Sequence, residues 1–366
     1  MKPFMGWKRK KKGKVSKSNK PLWDLYRDGI TYSALSKFFI CRERFRLAYV
    51  EGWQETTMRE ALEFGNAFHH CLEMRSSGMK IPQILRSLSD YERKHVNRMW
   101  KEAKTKPEDF HRMIAIVGTT FQQYLSYWDK EDSKIKFVNQ ELPFDIPIKV
   151  PGSARTIRLR GRIDGVVQRK EGLWILEHKT KSNIDETLLT QALSQDLQTM
   201  IYAFVAEQIF KRPIKGVIYN VVRRCGIQQR KGRKTKAQPS GNPESLRDYT
   251  ERVKQDIISR PSWYYMRWET ELMKGDLKRW VDRTLQPTLI QIVQWWESVK
   301  HNPFDPWTKP DGTINALHWQ RPFGIFDSGA DGRRGDFFDL LTNKSTYGLK
   351  RRELAFPELS DIDRAV

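Results

Sequence analysis

The chain has 366 residues, 39% of them hydrophobic, with a formal net charge of +22 and a pI near 9.8. That apolar content excludes an intrinsically disordered protein and allows a large core, as one domain with elaborations or as two. The charge calls for a polyanionic partner, most simply nucleic acid, with an acidic membrane surface as the other reading. No apolar run approaches the about 20 residues that cross a bilayer, and the amino terminus lacks a secretory hydrophobic segment, so a soluble protein in the cytoplasm is expected, with no membrane partner. Cys41, Cys71 and Cys225 are far apart, form no CxxC pair and read as reduced thiols, with no structural zinc site.

Residues 1–20 carry nine basic residues and no acid, leaving +13 for the rest, so the body is basic in its own right. This arm reads as solvated and mobile, either a solubilising tail or a non-specific phosphate binder. In "YSALSKFFICRERFRLAYVEGW", Tyr32 to Trp53, Ser33 suits an N-cap. Leu35, Phe38, Phe39, Phe45, Leu47 and Tyr49 alternate with basic residues, as in a helix pair or bent helix with an aromatic inner face. Helical patterning fills about Glu60 to Tyr127, with breaks near Gly78 to Pro82 and near Pro107.

From about Phe137 to Val222 strand and helix signals alternate. Ile157 to Val167 and Leu173 to Thr180 are rich in β-branched and apolar residues around Arg169-Lys170-Glu171-Gly172, which predicts a hairpin. The period of two puts Leu173, Ile175, Glu177 and Lys179 on one face and Trp174, Leu176, His178 and Thr180 on the other. With Glu171-Gly172 as a two-residue turn, Asp164 stands opposite Lys179, one pair from Glu177. Two acids and an amine beside an apolar face cost desolvation free energy unless something compensates the charges, and a divalent metal would do so.

A helix is expected next, from about Asp185 to Phe210. Gln191, Gln195, Gln198 and Tyr202 form a polar stripe on it, facing the hairpin or facing solvent. Upstream, "FGNAFHHCLEM" sets His69 and Glu73 on one helical face, a turn beyond Gly65, where a small residue permits close approach. His69 is either a structural histidine or a metal ligand. The strand "KGVIYNVVRR" precedes a polar loop, "CGIQQRKGRKTKAQPSGNPES". Arg223, Arg224, Arg230, Lys231, Arg233, Lys234 and Lys236 follow the strand either as a phosphate track or as a solvated excursion. From about Leu246 the chain reads as helical to about Lys300, then irregular and rich in Gly, Pro, Asp and aromatics.

Gly65-x3-His69, Gly161-x2-Asp164, Glu177-x-Lys179 and Gln198-x3-Tyr202, in that order, resemble the RecB-like branch of the PD-(D/E)xK nuclease superfamily. Each element alone is weak; four in order on a helix, two strands of a hairpin and the next helix are far more specific. "EHKTKS" and "GVIYNVVRR" are similar to phage-borne members used in recombination or DNA processing. The resemblance covers roughly residues 30 to 225, more weakly the remainder.

It implies an α/β (mixed α+β) fold, a central mixed β-sheet flanked by helices, with a restriction-endonuclease-like core and helical N- and C-terminal elaborations. The expected organisation is a basic arm over 1–20, the nuclease core with its lead-in over 21–225, a basic flexible loop over 226–245 and a mainly helical region over 246–366. For function it implies a Mg²⁺-dependent deoxyribonuclease, with Mn²⁺ as a substitute, acting on double- or single-stranded DNA at or near ends and leaving room for a recombination partner protein. The metal ligands it implies are His69, Asp164, Glu177 and the His178 backbone carbonyl. Asp164, Glu177 and Lys179 would be catalytic, with Lys179 serving the attacking water. Gln198, Tyr202, Glu73 and the basic residues of the loop would brace the site or hold DNA.

Many relatives of that branch carry a four-cysteine iron–sulfur cluster, with one cysteine in the lead-in and three near the C-terminus. Cys41 stands where the first would be, but residues 301–366 contain no cysteine, so a four-cysteine cluster is not expected. Trp319, Phe323, Phe326, Phe337 and Phe338 are the candidates for holding the C-terminal region by packing, and Cys41 reads as a small buried hydrophobe. Two other classes compete with the nuclease: a catalytically idle DNA-binding or recombination scaffold on the same fold, and an RNA-directed binder using the basic arm and loop. The triad counts against the first, and the lack of an RNP-like aromatic platform against the second.

Overall fold

Asp24 caps the first described helix, its carboxylate accepting from the Tyr26 and Arg27 amides at the start of α1 (Leu25–Asp28). The computed structural model describes residues 20–56, 58–103, 105–182, 184, 196–232, 241–318 and 337–360. The basic arm, but for Lys20, therefore lies outside the described residues. After β1 (Ile30–Thr31) comes α2 (Tyr32–Ile40), capped by Thr31 and not by Ser33: the Thr31 hydroxyl accepts from Ala34 N–H. Pairing of β1 with β4 keeps Thr31 extended, as a cap must be, so the helix starts earlier than composition suggested.

The lead-in bends at Cys41, which is extended and accepts the Arg44 amide on its sulfur at 3.5 Å, starting α3 (Arg42–Phe45) and a π-helical turn over Arg46–Val50. Cys41 is 1% exposed, so it is a buried hydrophobe that also caps a helix. The aromatic inner face forms as read: Phe45 meets Trp23, Phe38 and Trp295 edge to face. The short strand β2 (Trp53–Glu55) leads to α4 (Glu60–Ser76), α5 (Ile81–Ala103) and α6 (Pro107–Asp132), whose breaks fall at Gly78, with φ of 85°, and at Pro107.

Then come β3 (Lys136–Lys149), β4 (Thr156–Arg169), β5 (Gly172–Lys181), α7 (Leu197–Phe210) and β6 (Ile214–Arg223). Of the helix expected from about Asp185 to Phe210, residues 197–210 form α7, with Asp196 as its N-cap in extended backbone; residues 185–195, Gln191 and Gln195 among them, lie outside the described residues. The remaining elements are α8 (Leu246–Ser259), α9 (Pro261–Tyr264), β7 (Tyr265–Glu271), α10 (Asp276–Trp280), α11 (Gln286–Val299), α12 (Phe338–Asn343) and β8 (Leu349–Arg351). The stretch read as helical therefore contains a strand. In β7, "YMRWETE" pairs antiparallel with β6; its Tyr, Trp and Thr suit a strand, and the edge of β6 gives it a partner.

The strands form one mixed sheet in the order β1-β4-β5-β6-β7, with β3 on β4, while β2 and β8 form a separate ribbon. One face packs on α2, α7 and α11 through Ile163, Ile175, Val217 and Val221, each at most 2% exposed. Burial of each such side chain contributes about 1.5–3 kcal/mol. On the other face α4, α6 and α8 share a second core with Val222 and Tyr265.

The hairpin register differs from the expectation by two residues. Arg169 pairs with Gly172 and Gly165 with Leu176, so the turn is Lys170-Glu171 and the register, carried one position past the end of the ladder, sets Asp164 opposite Glu177 rather than Lys179. Gly172, with φ of 143°, supplies the backbone that closes the turn one residue early. A shift of two conserves the faces, so the patch survives the error.

The C-terminal segment is tied to the lead-in by buried polar groups. His318 Nε2 meets Glu43 Oε2 at 2.9 Å, Trp295 Nε1 donates to His318 Nδ1 at 3.2 Å, and Arg46 donates to Glu43 and to the Phe304 carbonyl. Burial alone would push the Glu43 carboxyl up, but the hydrogen bonds from Arg46 and His318 hold it at about 2. Phe337 is in the core, whereas Trp319, Phe323 and Phe326 lie outside the described residues.

Candidate metal centre

β4 and β5 pair only from Gly165 to Arg169; beyond that β5 follows β6, and β4 follows β3, with β1 taking its vacated edge at Leu159 and Arg160. Asp164 and Glu177 are the first residues past the last shared pair. They stand in the fork, where the sheet offers side chains and an unpaired backbone edge together. Asp164 Oδ2 accepts the His178 amide at 2.8 Å. Lys179 Nζ donates to Glu177 Oε1 at 2.9 Å and to Gln198 Oε1 at 2.7 Å, and Gln198 Nε2 donates to Tyr202 Oη at 3.1 Å. The Gln198–Tyr202 part of the stripe thus faces the hairpin.

From the opposite face α4 brings His69, whose Nδ1 is 3.9 Å from Asp164 Oδ2. Gly65 allows that approach: a Cβ there would stand 3.0 Å from Thr180 Oγ1. His70 turns away to hydrogen-bond Ser87 Oγ at 2.8 Å. Glu73 and His69 line one cleft of about 480 Å³, together with Tyr32, Arg162, Gln198 and Tyr202.

Sequence reasoning missed Glu141. It sits in β3 with φ of 47°, between the pairs Gln140–Gly165 and Leu142–Ile163, which sets it beside Asp164. Ligand atoms of His69, Glu141 and Asp164 lie within 4.8 Å of one another. No motif marks Glu141; only the β3–β4 register, which the sequence reading did not set, could have found it. Missed too was a relay behind the site. Asn220, fully buried on β6, donates to His178 Nδ1 at 2.8 Å and to Tyr124 Oη at 2.6 Å and accepts from Arg267, which pairs with Asp132 at 2.8 Å.

The basic loop divides. Arg223 is 7% exposed; its Nε donates to the Trp263 carbonyl and its guanidinium lies 3.7 Å over that ring, so it belongs to the core edge and not to a phosphate track. The backbone of Arg224 is held by Lys181, while Arg230 and Lys231 are exposed. Arg233, Lys234 and Lys236 lie outside the described residues.

Burial pushes both Asp164 and Glu177 up, and their mutual repulsion adds to the rise of Glu177. Burial, then Asp164 and Glu73, push Glu141 up to about 8. Burial would lower Lys179, but the Glu177 and Asp196 carboxylates hold it above its ordinary value. Burial holds His69 below its ordinary value and His178 well below it, so both are neutral imidazoles near pH 7. Glu177 Oε2 is buried without a hydrogen-bond partner. Three crowded carboxylates, a neutral imidazole and an orphaned oxygen are a donor set that a hard divalent cation satisfies.

A family model described as the PD-(D/E)XK nuclease superfamily matches residues 29–288. The chain belongs to this superfamily. Its matched span contains His69, Asp164, Glu177, Lys179, Gln198 and Tyr202, and it continues beyond residue 225 through β7, in keeping with a sheet that draws on both sides of the basic loop. The mixed sheet flanked by helices is the restriction-endonuclease-like fold of these nucleases, which are hydrolases acting on nucleic acid. No curated protein matches the chain. Among the solved structures that match is one named "Crystal structure of SSO0001", 16% identical, covering 62% of this chain and 84% of that chain with a TM-score of 0.20, a superposition too loose to bear on the site. Among the described residues no helix is long and apolar enough to cross a membrane.

Proposed function

We propose that this member of the PD-(D/E)XK nuclease superfamily is a metal-dependent deoxyribonuclease of the RecB-like branch, hydrolysing phosphodiester bonds at or near DNA ends in recombination, repair or phage DNA processing. The observation that carries the reading is Glu177: a fully buried carboxylate with one oxygen on Lys179 and the other unpartnered, in the fork where Asp164 and His69 converge. Such an oxygen is costly in a protein interior unless a cation completes it. His69, Asp164, Glu177 and the His178 carbonyl would hold Mg²⁺, with Glu141 as a further oxygen donor, and the imidazole suits Mn²⁺ as a substitute. When bound, the ion supplies Lewis acidity toward the phosphoryl oxygen.

The protein's own groups do the rest. Lys179 carries a fixed ammonium beside the reacting centre, where it orients the attacking water and counters charge growing on the phosphate. Gln198, anchored by Tyr202, aims that ammonium, so the QxxxY pair acts through Lys179. The RecB-like order of motifs supports the branch and the action at ends.

The experiment is incubation of the protein with linear and circular DNA in Mg²⁺, Mn²⁺ or EDTA. Cleavage of linear DNA that needs the metal and spares closed circles is expected. Binding without cleavage under every metal condition would replace the nuclease by an idle scaffold, and cleavage in EDTA would remove the metal from the reading.

A further inference from the structure

Two imidazoles, those of His69 and His178, meet at the metal centre with ring centroids 6.1 Å apart and planes at 87°. They are held in opposite ways. The His69 ring hydrogen-bonds the His178 backbone, so one nitrogen spends a proton on the carbonyl and the other keeps a lone pair for a cation, the usual state of a ligating histidine. His178 Nδ1 faces the side-chain amide of Asn220 at 2.8 Å, and which of those two atoms donates decides what the ring can do.

Arg267 settles the direction. Its Nε and Nη2 stand 3.4 Å and 3.3 Å from Asn220 Oδ1, and a guanidinium only donates, so the amide oxygen belongs on the Arg267 side. Turned over, the amide would set its own N–H groups against that guanidinium at a fully buried position, where donors without acceptors are costly. The two amide hydrogens go instead to His178 Nδ1 and to Tyr124 Oη, the latter at 2.6 Å. Arg267 is itself anchored, paired with Asp132 at 2.8 Å and lying 3.9 Å over the Trp128 ring. Arg267 comes from β7 and Asp132 from α6, two elements that carry none of the sequence motifs.

With an N–H aimed at it, His178 Nδ1 must accept, and a neutral imidazole then carries its proton on Nε2. Burial, helped by the neighbouring His69 and Arg267, keeps the ring neutral. Neither nitrogen is left for an ion, since the Nδ1 lone pair is engaged and Nε2 is protonated. Nε2 lies across the ring from the nitrogen that Asn220 holds, and the ring lines a cavity of about 390 Å³ together with Asp164 and Glu141. We propose that Asn220, oriented by Arg267, is a positioning residue of the metal centre that locks His178 as its Nε2–H tautomer. The ring is thereby a hydrogen-bond donor toward an oxygen beside Asp164 and never a ligand, and the imidazole place on the ion falls to His69. The purpose of this lock rests on the metal-dependent nuclease reading, whereas the tautomer is read without metal or DNA.

The test is long-range proton–nitrogen correlation spectroscopy of the full chain with isotope-labelled histidine, in EDTA near neutral pH. The His178 signals are those missing from His178→Gln. A protonated Nε2 and an unprotonated Nδ1 are expected in the wild-type chain. In Asn220→Asp a carboxylate faces Nδ1 and accepts from it, so the pattern reverses or the ring gains a second proton. In Arg267→Met the amide is free to turn, and mixed tautomers are expected. A proton on Nδ1 in the wild-type chain would overturn the lock, and so would an unchanged pattern in both folded variants; the wild-type pattern decides alone should neither variant fold.

Calorimetry with Mn²⁺ tests the division of roles. His178→Gln keeps the carbonyl and a side-chain N–H and should hold affinity within about three-fold, whereas His69→Ala should lose about 10–100-fold. Equal losses would make the His178 ring a ligand and overturn the proposal. Cleavage is read in neither experiment, so failure of the nuclease reading would show in the DNA digestions and leave the tautomer to stand or fall by itself.

Discussion

Asp164 Oδ2 accepts the amide N–H of His178 at 2.8 Å, across the point where β4 and β5 part. This bond does two things. It pins the carboxylate that the cation must share, and it holds the β5 backbone so that Glu177 and Lys179 face Asp164 while His178 faces His69. Replacing Asp164, Glu177 or Lys179 by Ala is expected to lower cleavage by at least about 10²–10⁴-fold, the usual cost of losing a group that acts on the reacting atoms. DNA binding should change by no more than a few-fold, since phosphate contacts elsewhere dominate affinity. Near wild-type turnover in any of the three would reject the site.

The two adjacent histidines separate by direction. His69 faces Asp164, whereas His70 is bound to Ser87 on α5. His69→Ala should weaken Mn²⁺ affinity, read by calorimetry, by about 10–100-fold, comparable to losses at supporting positions of metal sites. His70→Ala should leave it within a factor of two or so. Equal losses would show that the helix, not the ligand, is what both substitutions disturb.

Glu141 gives a pH prediction whose sign can be worked out. Its carboxyl is raised from an ordinary 4.5 to about 8, so the folded chain holds that proton more tightly than the unfolded chain. The resulting stability is fully present below about pH 4.5 and is lost as pH rises through about 8. In EDTA the melting temperature should fall across this window, and Mg²⁺, which takes the ionised form, should restore it increasingly at high pH. Glu141→Gln should flatten the fall in EDTA and shrink the Mg²⁺ effect. A melting temperature that rises with pH in EDTA, with no change in slope on substitution, contradicts the crowding of carboxylates.

Gly161 tests the packing behind the motif. A Cβ there would meet the Phe144 ring at 2.6 Å, so Gly161→Ala must push aside an aromatic side chain that itself packs edge to face on Tyr202. A cost of about 1–3 kcal/mol is expected from overpacking, measured by denaturant unfolding, together with reduced activity because Tyr202 anchors Gln198. Phe144→Leu should rescue Gly161→Ala in part; absence of rescue would place the strain elsewhere.

The exposed part of the basic loop can be probed by changing Arg230, Lys231, Arg233 and Lys234 to Ser, and Arg223, being buried, is left out. If the loop follows phosphates, the salt slope on duplex DNA falls by about 0.9 per lost contact, with turnover of bound DNA little changed. An unchanged slope and affinity would make it a solvated excursion.

The sequence by itself carried the chemistry. Period-two alternation in "LWILEHKT" put Glu177 and Lys179 on one face, the i, i+4 spacing put Gln198 and Tyr202 on one helix face, and the order of four motifs identified the superfamily. These are local facts of backbone geometry, and a two-residue register error could not disturb them because it conserves the faces. Only tertiary structure decided what depends on pairing between distant segments. Glu141 joins the acids through the β3–β4 register and a backbone with positive φ, and Asn220 reaches His178 across two parallel strands. Tyr265 to Glu271, inside a stretch read as helical, becomes a strand because β6 offers it an edge to pair with. Arg223, read as one of a row of exposed cations, is withdrawn from solvent by the Trp263 ring. Charge and hydropathy along a chain show which residues need partners; which partners they find is set by the packing of elements that lie far apart in the sequence.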